Sequence, residues 1–190
     1  MFENLKSKSI VLASKSPRRK VLLSSLGIKF KVKKISIKED FPNDLNKLKI
    51  AEYLAIKKSS KLIPNDNELI ITADTVVIHN NIILNKPQNS EEAKKILNTL
   101  SNTKHKVITG VCIKQKNKKI SFSEETKVYF KKLTKSEIDF YLNNYNPYDK
   151  AGAYGVQDWI GKIGIKSIEG CYYNIMGLPL RILYNNLIKL

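Results

Sequence analysis

The ten residues Leu69-Ile70-Ile71-Thr72-Ala73-Asp74-Thr75-Val76-Val77-Ile78 constrain this chain more than any other segment. The run is almost continuously apolar and rich in β-branched side chains, with no polar alternation, so it reads as a strand buried on both faces. Such a strand needs sheet neighbours on either side and covering layers above and below. An α/β or mixed α+β fold follows. At its centre stands one carboxylate. Burying Asp74 is costly unless it is paired, protonated or holding a cation, which makes it the first candidate functional residue.

Around this strand, short β-like runs alternate with helical ones. Residues 9–13 read as a first strand, and Ser14-Lys15-Ser16-Pro17 as a turn with Ser16 as N-cap and Pro17 at the first helical position of a helix reaching Leu26 and stopped by Gly27. Residues 29–37 read as a strand and 44–62 as a helix closed before Pro64. Asn80-Asn81 turns the chain into a strand over 82–84, and Ser90-Glu91-Glu92 opens a further helix. Residues 103–113 and 120–130 pair as a hairpin through a lysine-rich connection. Thr134-Lys135-Ser136-Glu137 is a capping box that starts a helix running through Leu142. Six of the eight glycines lie beyond position 150, predicting tight loops and short strands there. The stripe Leu180, Leu183, Tyr184 and Leu187 gives the last helix its core face.

No repeat or linker divides the 190 residues, which suit a single domain over 1–190. No stretch approaches the ~18 apolar residues of a membrane span, and Ile10-Val11-Leu12-Ala13 is shorter than the ~7–15 residues of a signal-peptide core, so a cytoplasmic protein without membrane association is expected. Cys112 and Cys171 form no disulfide framework or zinc spacing and read as buried thiols. The net charge of +17 invites a nucleic-acid reading. The distribution argues against specific nucleic-acid binding, because all but three of the 34 basic residues are lysines scattered along the chain.

Arginine is the informative base, and two of the three, Arg18 and Arg19, are adjacent. They follow Ser14-Lys15-Ser16-Pro17 in the first turn of a helix, where exposed amides and hydroxyls attract an anion and a cation is otherwise disfavoured. Phosphate binding resolves that conflict. Lys57, Lys58, Lys86 and Lys150 could complete a polyphosphate site, and Glu39 could lend a second carboxylate to a metal. His79 and His105 have no ligand-spaced partner. Gly155 to Lys162 is no Walker A loop, since five residues separate its glycines and no Ser or Thr follows the Lys, and no GxGxxG follows the first strand.

Six segments, in order, resemble the Maf-type nucleoside triphosphate pyrophosphatases, the family linked to septum formation inhibition. They are Ser14-Lys15-Ser16-Pro17-Arg18-Arg19, Ala73-Asp74-Thr75, Lys86-Pro87, residues 105–111, Asp149-Lys150-Ala151-Gly152-Ala153-Tyr154-Gly155-Val156-Gln157, and residues 170–180. The resemblance implies an elongated, twisted mixed sheet flanked by helices, with two lobes and a central cleft. It also implies cleavage of a nucleoside triphosphate between the α and β phosphates with a divalent cation, magnesium or manganese, and a homodimer. Asp74 matches the family's proton acceptor and, with Glu39, a metal-holding position. Arg18, Thr75 and Gln157 match the positions that set base preference, as found in the branch acting on dTTP and UTP. Ser14, Arg19, Lys58, Lys86 and Lys150 match further substrate-binding positions. The chain departs from the pattern at Thr72, Asn85 and Asp158-Trp159, and Trp159 is expected to pack against the glycine-rich loop. Two other readings compete: a non-catalytic nucleotide-binding regulator of cell division, and a pyrophosphatase acting on ITP or XTP.

Overall fold

The computed structural model describes residues 3–190. Among them, seven strands form one mixed sheet. In chain order the elements are β1 (Ser9–Ala13), α1 (Pro17–Ser24), β2 (Lys31–Lys33), α2 (Ile50–Ser60), β3 (Glu68–His79), β4 (Ile82–Leu84), α3 (Ser90–Leu100), β5 (Lys104–Lys114), β6 (Lys119–Phe130), α4 (Lys135–Asn144), α5 (Trp159–Gly164), β7 (Ile165–Glu169), α6 (Tyr172–Ile175) and α7 (Leu180–Leu187). The strand order is β2-β1-β3-β5-β6-β7, with β4 paired to β3. β1 runs parallel to both β2 and β3, whereas β4 on β3 and β7 on β6 are antiparallel. The apolar run is thus an interior strand, and every residue of β3 except Glu68 and Thr75 is buried.

The chain forms two compact units. One holds the described residues up to Asp74, with Thr109–Glu124 and Gly177–Leu190; the other holds Thr75–Ile108 and Glu125–Met176. In the first unit, Val11, Ala13, Leu62 and Ile70 close one apolar cluster. Helix α2 lies so close to β5 that a Cβ on Gly110 would stand 2.2 Å from the backbone nitrogen of Glu52. Polar groups fix the same helix. Thr72 Oγ1 donates to the Ala55 carbonyl at 2.7 Å, Cys112 Sγ donates to Ser59 Oγ at 3.2 Å, and Lys114 Nζ donates to the carbonyls of Ser59 and Leu62 at its carboxyl end. In the second unit the core is Ala93, Leu97, Leu100, Phe130, Leu133, Ile138, Tyr141, Ala153, Tyr154, Val156 and Ile160, with Trp159 packed against it. The Trp159 ring lies 4.6 Å from that of Phe140 on α4, so its ring contact is with that helix.

Most local signals are realised. Asn80 and Asn81 both take left-handed φ, 45° and 60°, the backbone a two-residue hairpin turn requires between β3 and β4. The capping box of α4 is present with both bonds. Five expectations need correction. The strand over 29–37 shrinks to Lys31–Lys33, an edge strand exposed at all three residues, because it buries no apolar face and pairs only with Val11 to Ala13. The helix over 44–62 divides into a 3₁₀ turn, Lys47–Lys49 capped by Asn46, and α2. α1 ends at Ser24, two residues early, as its last turn tightens toward Gly27 at φ 71°. The glycine-rich segment holds one short strand, β7, and otherwise short helical turns. Cys112 is buried as expected, while Cys171 is only half-buried.

Candidate active site

In the first unit, the turn from β1 into α1 is wound by its serines. Ser14 Oγ accepts the Ser16 N–H at 3.1 Å, and Ser16 Oγ accepts the Arg19 N–H at 3.4 Å as the N-cap. Each hydroxyl that accepts an amide retains its own O–H as a donor. Arg18 is half-buried just inside the helix. Arg19 turns inward, donating Nε to the Gly177 carbonyl at 2.7 Å and Nη1 to the Ala73 carbonyl at 2.9 Å. It therefore braces the backbone next to Asp74. Burial pushes its guanidinium below the usual range, while the negative charges of Asp74 and Glu39 oppose that shift and Arg18 adds to it.

Asp74 is paired. The last turn of α2, held against the sheet by Gly110, Thr72 and Lys114, aims Lys58 Nζ at Asp74 Oδ1 and at Glu39 Oε1, the latter at 3.0 Å. Lys58 and Asp74 are only 9% and 6% exposed, so each compensates the desolvation of the other. The preceding lysine does the same one step outward: Lys57 Nζ donates to Asp40 Oδ1 at 2.6 Å and to the Asp40 carbonyl at 2.9 Å. That bond holds the Asp40 carboxyl below its ordinary range. Asp40 was not singled out in the sequence, where only the adjacent Lys57-Lys58 and Glu39-Asp40 pairs hinted at a double clamp.

Two carboxylates, Glu39 and Asp74, therefore converge on one cationic nitrogen. Among the described residues no three His, Cys, Asp or Glu side chains group closely enough to hold a metal alone. A hard divalent cation of the magnesium type takes one or two protein carboxylates and draws its other oxygens from substrate phosphate and water. The pair fits such an ion.

In the second unit, Thr75 is half-buried on β3 and Lys86 is exposed between β4 and α3. Lys150 is folded in, with Nζ 2.7 Å from the Asn146 carbonyl, 2.9 Å from Asp149 Oδ1 and 3.6 Å from Asp158 Oδ2. The next turn holds Gly152 and Ala153, both at left-handed φ, 74° and 60°. Ala153 carries strain that only surrounding packing can impose, a feature common at functional sites. Gln157 follows, half-buried, with its Oε1 buried and without a hydrogen-bond partner. The histidines belong to the core. His105 Nε2 pairs with the Tyr154 hydroxyl at 2.7 Å and its ring stacks on Phe130, while His79 Nδ1 lies 3.0 Å from the Lys104 carbonyl. Burial, with a smaller contribution from His79, pushes His105 down to about 3.

A family model described as Maf-like protein matches residues 9–190. A protein from Porphyromonas gingivalis named dTTP/UTP pyrophosphatase is 51% identical, over 98% of this chain and 96% of its own length. One of the same name from Parabacteroides distasonis is 50% identical, over 98% of each. Among solved structures, a HAM1 protein from Coxiella burnetii covers 96% of this chain and 100% of its own, with a TM-score of 0.57 at 15% identity, a likeness of fold. No described helix is long and apolar enough to cross a membrane. With a family model spanning nearly its whole length and relatives about half identical throughout, the chain belongs to the Maf-like protein family.

Proposed function

We propose that this chain is a nucleoside triphosphate pyrophosphatase that cleaves dTTP and UTP into the nucleoside monophosphate and pyrophosphate. The observation that carries the reading is the buried Asp74 carboxylate, paired through Lys58 to Glu39 on an interior strand. Relatives about half identical over the full length bear the name dTTP/UTP pyrophosphatase, which supports the substrate.

In this reading a water oxygen attacks the α-phosphorus. The water proton goes to Asp74, and the bond from that phosphorus to the bridging oxygen breaks to release pyrophosphate. Lys58 engages Oδ1 of Asp74, so Oδ2 is the oxygen that takes the proton. Glu39 and Asp74 would hold the divalent cation, which supplies positive charge to the phosphate oxygens as negative charge spreads over them. Ser14, Arg18, Lys86 and Lys150 supply hydroxyl and cationic donors to the phosphates. Arg19 acts through its backbone bonds, fixing the strand that carries Asp74. Gln157 reads the base: its Oε1, which has no partner within the protein, accepts the N3–H that thymine and uracil carry and cytosine lacks once the side chain turns it toward the nucleotide, with Arg18 and Thr75 completing the preference. Pairing of two copies, as the family resemblance implies, belongs to the same proposal.

Phosphorus NMR of the protein with dTTP, UTP, ITP and 7-methyl-GTP, each with magnesium or manganese, tests it. Monophosphate and pyrophosphate from dTTP and UTP are expected. Nucleoside diphosphate and phosphate would refute the bond assignment, preferential turnover of ITP would move the chain to the purine house-cleaning class, and no turnover would leave a binding protein. In the same assay Asp74→Asn should lower kcat by about 10²–10⁴-fold while nucleotide binding persists. An active Asp74→Asn enzyme removes Asp74 from its role.

A further inference from the structure

Asp158 stands at the amino-terminal cap of α5, a position where an Asp side chain ordinarily accepts a backbone N–H from the first helical turn. Here it makes no such bond. Its carboxylate turns back instead, and Oδ2 accepts the Tyr141 hydroxyl at 3.0 Å and faces Lys150 Nζ at 3.6 Å. The backbone folds with it. The Asp158 N–H donates to the Gly155 carbonyl at 3.0 Å, closing a four-residue turn in which Gln157 is the third residue. The carboxylate lies over that turn, for a Cβ on Gly155 would stand 2.5 Å from Asp158 Oδ2, so a side chain at 155 would have to displace it.

The anchor on the other side is rigid. Tyr141 is fully buried in the core of its unit, and its hydroxyl stays protonated as a donor because burial, reinforced by the charge of Asp158, pushes its titration far up. Asp158 thus gives up a helix cap to tie the Gly155-to-Asp158 turn to an immobile tyrosine. The group carried at the top of that turn is the Gln157 amide, whose buried Oε1 has no partner within the protein. A cap bond is exchangeable with water, whereas an amide that must meet one edge of a base tolerates displacements of only about half an ångström.

We propose that Asp158 is a positioning residue for base selection: its carboxylate, held by Tyr141, sets the Gly155–Asp158 turn so that Gln157 Oε1 meets the N3–H of a thymine or uracil base. The inference rests on the reading of Gln157 as the base reader, and it assigns to Asp158 and Tyr141 no contact with the nucleotide.

The test is the ratio of kcat/KM for dTTP to that for dCTP, measured for the native protein, Asp158→Ala, Asp158→Asn and Tyr141→Phe. In Asp158→Ala this ratio should fall about tenfold, with the loss in KM for dTTP exceeding the loss in kcat, the mark of displaced binding rather than damaged chemistry. Asp158→Asn retains an oxygen that can accept the Tyr141 hydroxyl and should restore most of the preference. Tyr141→Phe, which deletes only the hydroxyl, should lower the ratio in the same direction as Asp158→Ala. A folded Asp158→Ala protein with the native ratio overturns the proposal. If Asp158→Ala fails to fold, Tyr141→Phe decides, and an unchanged ratio there overturns it equally. A native protein that turns over dTTP without preferring it to dCTP refutes the base-reading role of Gln157 and this proposal with it. One that turns over no nucleotide refutes the activity itself.

Discussion

A single ammonium group decides how the most expensive residue of this chain is accommodated. Lys58 reaches both Asp74 and Glu39, so the charge on the interior strand is matched within the first unit. Removing one partner of such a pair strands the other, typically at a cost of about 3–5 kcal/mol, which ties the stability of this region to the chemistry proposed for it. His105 meets burial differently. It has no charged partner and remains neutral, held by Tyr154 and Phe130 and titrating only at about 3 in the folded chain. In the unfolded chain it titrates near the ordinary 6.5. Between those values the unfolded state binds the proton and the folded state does not, so stability rises with pH through this window and is lost as pH falls from about 6.5 toward 3. Urea unfolding at pH 4 and pH 7 is expected to show this. In His105→Phe the stability difference between the two pH values should shrink by about 3 kcal/mol, and an undiminished difference would show that other groups drive acid unfolding.

At the scale of elements, the placement of α2 depends on how closely it approaches β5. Adding one methyl at Gly110 drives a Cβ to 2.2 Å from the backbone of Glu52, and no flexible side chain is present to yield. Gly110→Ala should cost roughly 2–4 kcal/mol in thermal or urea unfolding and should lower turnover as well, because any shift of α2 carries Lys58 with it. Gly27→Ala is the control. Its φ of 71° makes alanine strained there, but its Cβ meets nothing within 4 Å, so a loss of only about 1 kcal/mol with turnover retained is expected. The contrast also shows what the sequence could reveal. β3, the Asn80-Asn81 hairpin and the capping box of α4 were legible because their signals lie within a few consecutive residues. The extents of β2 and α2 are not legible there because they are set by partners distant in sequence, an edge pairing of three residues and a strand pressing on a helix. Within the site, Asp74 was legible as a charge in an apolar run. The selection of Lys58 from the many lysines, the inward turn of Arg19 and the diversion of Asp158 from its cap were not, since side-chain direction emerges only after packing.

For the molecule as a whole, the relevant quantity is charge. A net +17 spread over many lysines does not select a base or cleave a bond, but it surrounds the protein with a positive potential toward which a triphosphate of about four negative charges drifts. Potential of this kind acts on encounter, and salt screens it over a Debye length of about 8 Å at physiological ionic strength. Directly bonded pairs such as Lys58 with Asp74 are buried and far less sensitive. kcat/KM for dTTP should therefore fall about tenfold between low and high ionic strength, with the change carried by KM and kcat nearly constant. The edge strand β2 offers a clean probe, since Lys31 and Lys33 are exposed and take no part in the proposed chemistry. Lys31→Gln with Lys33→Gln lowers the net charge from +17 to +15 and should lessen the salt dependence slightly while preserving kcat. A salt response confined to kcat would place the sensitivity in the reaction step and remove capture by the overall field as the use of this chain's charge.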